Sequence, residues 1–265
     1  MKETLNILFI GDVIGEPGFN LLKSLLPSYI SKYKVDFVIV NSENISGGLG
    51  ILEKDAKKLL GLDVDVLTGG NHTLDKIQTH KYLNEAEKVL RPINYPKGVY
   101  GKGYGIYEVK NTGVKICVSN FQGRIYMKPL DCPFRAFDSL YEKVKEITNI
   151  IIIDFHAEVT AEKIAFGWHC DGRASAVLGT HTHIQTADNR ILPGGTAYIT
   201  DVGMTGPYDS VIGMNKDTSL RRFIYQTPQK HTIAEGDLRF AAVVFAIDTN
   251  NGKAIKIERI FFPEF

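Results

Sequence analysis

Short apolar runs alternate along the chain with longer stretches in which apolar residues recur at helical spacing, and most runs stop at Gly, Asp, Asn or His. Residues 5–10 (LNILFI) read as a buried strand, and Leu21, Leu22, Leu25, Leu26 and Ile30 give the next segment an apolar helical face. Residues 36–40 form a second strand ending at Asn41-Ser42-Glu43-Asn44, residues 51–60 a short helix, and residues 64–67 a third strand ending at Thr68-Gly69-Gly70-Asn71-His72. Residues 75–89 read as another helix. A hairpin over 104–109 and 114–119 turns at Asn111-Thr112-Gly113, and a loop of Gly, Pro and aromatic residues, 121–134, leads into a helix reaching about residue 147. Residues 150–153 are a buried strand ending at Asp154-Phe155-His156, and residues 174–178 another ending at Gly179-Thr180-His181-Thr182-His183. After a glycine-rich stretch, 240–247 and 254–262 alternate as strands joined by the turn Asn250-Asn251-Gly252. The pattern is α/β and predicts one domain, residues 1–265, built on two mixed sheets.

Composition narrows the function more than the fold. The 265 residues are 44% hydrophobic and 23% charged, with 31 Lys+Arg against 30 Asp+Glu for a net charge of +1. With no basic run longer than two, an extended nucleic-acid surface is excluded. A small phosphate ester is not, because one or two arginines suffice to grip it. The apolar stretch near the N-terminus is too short and too soon followed by Gly11-Asp12 for a secretory signal, and no window approaches the ~18 apolar residues of a membrane span. The expectation is a cytoplasmic protein that does not engage a membrane. Cys117, Cys132 and Cys170 lack C-x-x-C spacing, which makes them packing residues rather than a disulfide framework or a thiolate site.

The informative feature is where polar residues fall. Five strand ends carry Asp12, Glu43-Asn44, Asn71-His72, His156 and His181-x-His183, all of metal-ligating type. Spacing of two in an extended segment would project His181 and His183 to the same side. Nitrogen and oxygen donors suit Fe, Mn, Zn or Co and exclude a thiolate-bound soft metal. The set oversupplies one ion and suits two ions about 3.5–4 Å apart. Asp12 and Glu43 cancel half of the charge of two divalent ions, and the remainder favours a hydroxide nucleophile and a phosphate. His72 directly follows Asn71 at the cluster's edge, a place that would turn it toward a leaving-group oxygen, and is the candidate general acid, with a structural histidine beside the ligands as the alternative. His80, His169 and His231 lie outside this pattern. Arg173 and Arg124 are candidate phosphate contacts, with a structural ion pair as the alternative for each. The glycine-rich segment 203–213 reads either as a wall of a base or sugar pocket or as a structural turn. No phosphate-loop or dinucleotide fingerprint is present.

The order Gly11-Asp12, Glu43-Asn44, Gly70-Asn71-His72, His156 and Gly179-Thr180-His181-Thr182-His183 resembles the calcineurin-like metallophosphoesterase superfamily, and within it the bacterial YmdB-type branch. The strings GDVIGEPG, NSENISGG, GGNHTLDK, DFHAEVTAEK and DGRASAVLGTHTHIQTAD through ITDVGMTGPYDSVIGM carry the likeness over most of the chain. Two motifs depart from the wider superfamily: its Asp-x-His reads Asp12-Val13-Ile14 here, and its Gly-Asp reads Ser42-Glu43-Asn44. The YmdB-type branch shares both changes.

The resemblance implies a metallophosphoesterase-type sandwich of two mixed β-sheets flanked by helices. It implies one ion held by Asp12, Asn44 and His183, a second by Asn71, His156 and His181, and Glu43 as the bridge. The metals expected are iron first, with manganese or zinc as alternatives. The expected activity is a cyclic-nucleotide phosphodiesterase taking a 2',3'- or 3',5'-cyclic monophosphate, in which a metal-bridging hydroxide attacks and His72 protonates the departing ribose oxygen. A phosphomonoesterase and a nucleotide-sensing, metal-dependent regulatory protein with incidental activity are the alternatives. The expected partner is the small-molecule substrate, and a homo-oligomer stays open.

Overall fold

A computed structural model describes residues 2–230 and 232–265, so His231 lies outside the described residues. The chain runs β1 (Thr4–Ile10), β2 (Asp12–Val13), α1 (Gly15–Tyr33), β3 (Phe37–Asn41), α2 (Glu53–Leu60), β4 (Val66–Thr68) and α3 (His80–Glu85). It continues with β5 (Tyr104–Glu108), β6 (Lys115–Gln122), α4 (Pro133–Val144), β7 (Ile151–His156), α5 (Thr160–Cys170) and β8 (Ala176–Thr180). The last elements are β9 (Arg190–Ile191), β10 (Ala197–Ile199), β11 (Met204–Pro207), α6 (Lys216–Tyr225), β12 (Leu238–Asp248) and β13 (Ala254–Phe262). Two mixed sheets result: one ordered β2-β11-β12-β1-β3-β4 with β13 on β12, the other β5-β6-β7-β8-β10-β9. The architecture is the α/β sandwich expected.

The layers follow from period-two alternation in strands buried on both faces, which is why these strands read as continuous apolar runs. Leu5, Ile7 and Phe9 of β1 face inward with Ile39, Val243, Val118, Ile152 and Leu178, forming a core between the sheets. Leu8, Ile10, Val38 and Val40 face outward against Leu22 and Leu26 of α1 and Leu59 of α2. On the other side Ile151, Ile153 and Phe155 meet Phe137 and Leu140 of α4 and Phe166 of α5.

At one end of the sandwich the inward face turns polar. Asn41, Thr68, Asp154 and Thr180 occupy the last inward positions of β3, β4, β7 and β8, or nearly so, and all are fully buried. Asp154 Oδ2 accepts from Asn41 Nδ2 (2.9 Å) and Thr68 Oγ1 (2.5 Å), and Asp154 Oδ1 accepts from Thr180 Oγ1 (2.7 Å). One carboxylate therefore ties the two sheets together just below the strand ends. Burial pushes its pKa up to about 7, against the lowering pull of His156 and of the Thr68 and Thr180 bonds.

Several elements differ from the sequence reading. The 75–89 helix is only a 3-10 turn and α3, because the chain leaves helical geometry at Ala86 and adds to the edge of β4. Leu67 N donates to Lys88 O and Leu90 N donates to Leu67 O, both at 2.8 Å, so Val89 and Leu90 are sheet-edge residues. Within 203–213, residues 204–207 form β11, which pairs in parallel with β2 at Met204 and Asp12. Among the described residues no helix is long and apolar enough to cross a membrane.

Candidate metal centre

The carboxyl ends of β1, β3 and β4 in one sheet and of β7 and β8 in the other converge on one crevice, the position at which open α/β sheets place sites. Asp12 follows β1 and is held by its pairing with β11; Asp12 N donates to Gly203 O at 3.0 Å. Glu43 and Asn44 follow β3, Asn71 and His72 follow β4, His156 ends β7, and His181 and His183 follow β8.

His156 Nε2 is the centre of the cluster. Within 3.1 Å of it lie Asn71 Oδ1 (2.9 Å), His181 Nδ1 (3.0 Å) and Glu43 Oε1 (3.1 Å). The opposite ring nitrogens show which lone pairs face inward. Thr180 Oγ1 donates to Asp154, so it accepts from His156 Nδ1–H (2.9 Å), which leaves Nε2 as the lone-pair nitrogen in the neutral ring. His181 Nε2–H donates to Glu158 Oε2 (2.9 Å), which leaves Nδ1 for the cluster. Such outer partners fix the tautomer of a metal-binding histidine. Acceptor atoms crowded this way repel one another unless a proton or cation sits among them, and Glu43, His156 and His181 form a group that could hold an ion.

A second set lies beside the first. His183 Nδ1–H donates to Ile212 O (2.9 Å), and its Nε2 lies 3.2 Å from the Asn44 amide and 3.9 Å from Asp12 Oδ1. Asp12 Oδ1 is buried and has no hydrogen-bond partner among the described residues. An orphaned, fully buried carboxylate oxygen aimed at an imidazole is costly unless a cation compensates it. The donor chemistry, all nitrogen and oxygen, fits a divalent transition ion. Burial raises the pKa of Asp12, partly opposed by His183.

Glu43 and His156 also attract each other as charges. Burial opposes ionisation of Glu43 and of His156, yet their mutual attraction prevails, holding the Glu43 carboxyl down to about 2 and the His156 imidazole up to about 9. His181 is pushed down to about 3 by burial and by His156, so its ring is neutral and its lone pair available. Gly70 makes the approach of these groups feasible: a Cβ there would lie 2.3 Å from His156 Cδ2 and 2.4 Å from Glu43 Oε2.

The structure corrects the reason given for the His-x-His pair. The segment is not extended; His181 and His183 have φ of 104° and 67°, and a left-handed turn rather than strand alternation brings them to the same crevice. A cleft of about 370 Å³ opens over them, bounded by His72 and Glu158 and by apolar Leu49, Ile212 and Met214. The second half of the 203–213 segment thus supplies a wall of the cleft. His72 is one-third exposed at its rim, its N–H donating to Glu43 Oε2 (2.9 Å) and its Nδ1 2.6 Å from Asp75 Oδ2.

Arg173 is not brought to the cleft. It precedes β8, at the end of that strand opposite the histidines, where Nη1 donates to Asp138 Oδ1 (2.7 Å), Nη2 donates to His169 O (2.6 Å), and the guanidinium stacks 4.8 Å over Phe137. It is the structural ion pair of the two alternatives. Arg124 does sit at the site's end of the sheet: Gly123 N donates to His156 O (3.0 Å), and Arg124 is exposed with no ion-pair partner among the described residues. His80 is stacked on Tyr100 and bonded to Leu74 O, His169 is paired with Asp138, and Cys117 and Cys170 are buried free thiols, as expected of packing residues. The sequence reading missed Glu158 and Asp75. Their only signal was spacing, two residues after His156 and three after His72.

The model of the YmdB-like protein family matches residues 8–260. The chain is 50% identical over 260 residues, 98% of each sequence, to a Bacillus subtilis (strain 168) protein named 2',3'-cyclic-nucleotide 2'-phosphodiesterase. A crystal structure of a hypothetical protein from Thermus thermophilus matches with TM-score 0.91 at 42% identity, covering 97% of this chain and 99% of that one. A Mycoplasma pneumoniae structure described as a novel phosphatase matches with TM-score 0.91 at 36% identity, covering 99% and 94%. On a family match spanning nearly the whole chain and a relative at half identity over full length, this chain belongs to the YmdB-like protein family.

Proposed function

We propose that the protein is a metal-dependent phosphoric diester hydrolase that opens a cyclic nucleotide, with a 2',3'-cyclic monophosphate as the favoured substrate. The observation that carries the reading is the crowding of Asn71 Oδ1, His181 Nδ1 and Glu43 Oε1 around His156 Nε2, beside the orphaned Asp12 Oδ1. The named activity of the Bacillus subtilis relative supports the substrate class.

Asp12, Asn44 and His183 would hold one ion, Asn71, His156 and His181 the other, with Glu43 between them and iron preferred over manganese or zinc. Two such ions supply Lewis acidity toward a phosphoryl oxygen and acidify water to near neutrality. The chain's own residues do the rest. Leu49, Ile212 and Met214 offer apolar contact to the ribose or base, and the exposed Arg124, next in the chain to the Gly123 that bonds His156 O, would extend to the phosphate. His72, with Nδ1 bound to Asp75, presents Nε2 to the departing ribose oxygen and donates the proton. Residues 1–265 act as one domain, a reading supported by the core that both sheets share. The absence of a membrane-spanning helix among the described residues is consistent with a cytoplasmic enzyme.

The test is a single-turnover assay of metal-loaded protein with 2',3'- and 3',5'-cyclic AMP, alongside bis-nitrophenyl and mono-nitrophenyl phosphate. Ring opening of the 2',3' ester and preference for the diester are expected. Tight binding without product points to a sensor, and faster turnover of the monoester points to a phosphomonoesterase; either overturns the proposal.

A further inference from the structure

We propose that the buried pair Lys163–Asp201 is the positioning device that aims the two histidines of the His181-Thr182-His183 turn at their separate ions; the inference rests on the two-ion reading above. Lys163, from the first turns of α5, and Asp201, just past β10, have side chains only 1% exposed. Lys163 Nζ donates to Asp201 Oδ2 (2.6 Å) and to Thr180 O (2.8 Å). The same Asp201 oxygen accepts from Thr182 N (3.0 Å) and Thr182 Oγ1 (2.8 Å), and Asp201 Oδ1 accepts from Gly203 N (2.8 Å). One ammonium and one carboxylate thus fix the residue before the first histidine and the residue between the two.

The turn needs such a fixture. Both histidines have positive φ, a backbone region that is costly for a residue with a side chain, and they lie two apart in one turn. A fully buried ion pair is seldom the most stable filling of its space, since desolvation offsets much of the attraction and apolar residues of equal volume often do as well. Stability alone therefore does not account for this pair. Its side-chain hydrogen bonds do: apart from the bond between the partners and the one to Gly203, all of them go to Thr180 and Thr182.

The experiment uses the full chain as wild type, Lys163→Met, Asp201→Ala and the double variant, each stripped by chelator. Thermal unfolding of the metal-free proteins and calorimetric titration with Mn²⁺ are read separately. Arg173→Met, which breaks the ion pair at the far end of β8, is the control. The wild type should take two ions. The double variant, with no unpaired buried charge, should be more stable than either single variant yet bind Mn²⁺ about 10–100-fold more weakly than wild type, the range typical of losing an outer-shell partner. Where the pair variants do not fold, Thr182→Val carries the test, with Mn²⁺ affinity about tenfold lower and thermal stability near wild type. Wild-type affinity in the folded double variant or in Thr182→Val, or an equal loss in the control, overturns the inference alone. A wild type that takes one ion overturns the two-ion reading and this inference with it.

Discussion

Asp75 Oδ2 lies 2.6 Å from His72 Nδ1, so the ring nitrogen left for a substrate is Nε2. A proton donor at that nitrogen, the role proposed for His72, matters only where the leaving group needs the proton. Replacing His72 by Ala should slow hydrolysis of a cyclic nucleotide by about 10² to 10⁴, whereas release of nitrophenolate, which leaves as an anion, should be spared by comparison. Metal content should stay at the wild-type level. Asp75→Asn should show the same selectivity with a smaller loss, about tenfold, because it disturbs the ring's orientation rather than removing the ring. Equal slowing of both esters, or loss of metal from the His72 variant, would place His72 among the ligands or the scaffold.

Glu43→Ala should behave in the opposite way. It removes a carboxylate that touches His156 at 3.1 Å and accepts the His72 N–H at 2.9 Å, so metal and activity should fall together on every substrate. Gly70→Ala should reach the same result from the other side. Its new methyl would meet His156 Cδ2 and Glu43 Oε2 at 2.3 and 2.4 Å, and those atoms must move apart. Metal analysis with circular dichroism checks both: depleted metal with a retained fold is expected, and a fully loaded Gly70→Ala protein would contradict the crowding.

How much of this was legible in the sequence depends on where polar residues were needed. Strands β1, β3, β4, β7 and β8 were readable because both their faces are buried, and their ends were readable because the apolar run stops where the crevice begins. Helix α5 was not readable: its inward face carries buried Glu162 and Lys163, so the apolar stripe that marks a helix is interrupted where it does structural work. Glu162 takes the Arg124 and Ile125 N–H groups (3.0 and 3.2 Å), while Lys163 takes the His-x-His turn. Helix α6 was missed for another reason, since none of its residues is buried and Leu220, Phe223, Ile224 and Tyr225 are all more than half exposed. The histidine pair was found by a spacing argument whose premise, extended backbone, the φ values contradict.

The cysteines give a prediction with a definite sign. Burial pushes the Cys117 thiol up to about 12 from an ordinary value of 9.0, and Cys170 well above it. Native protein at pH 8 should therefore react at one thiol, half-buried Cys132, with an aromatic disulfide reagent, and at three after unfolding. Between pH 9 and 12 the unfolded chain ionises Cys117 while the folded chain keeps it neutral, so the folded state loses stability as pH rises, by about 1.4 kcal/mol per unit from this group. Cys117→Ala should flatten that alkaline limb in denaturant titrations. An unchanged slope would mean the thiol is reachable by water.

Arg124 and Arg173, alike in sequence as candidates, should separate cleanly when replaced by Met. Arg173 is engaged by Asp138 and the Phe137 ring in a half-exposed pair, worth about 1 kcal/mol at most. Its loss should lower the melting temperature slightly and leave kcat and KM alone. Arg124 keeps its backbone N–H on Glu162 whatever its side chain, so the loop should stay in place in the variant. On the proposed reading what disappears is a charged contact to the phosphate, worth about 1.5–3 kcal/mol. Because that contact holds substrate and transition state alike, KM should rise about tenfold to a hundredfold with kcat nearly unchanged. A fall in kcat with KM constant would mean that Arg124 acts on the charge that develops during reaction, and no effect on either would remove it from the site.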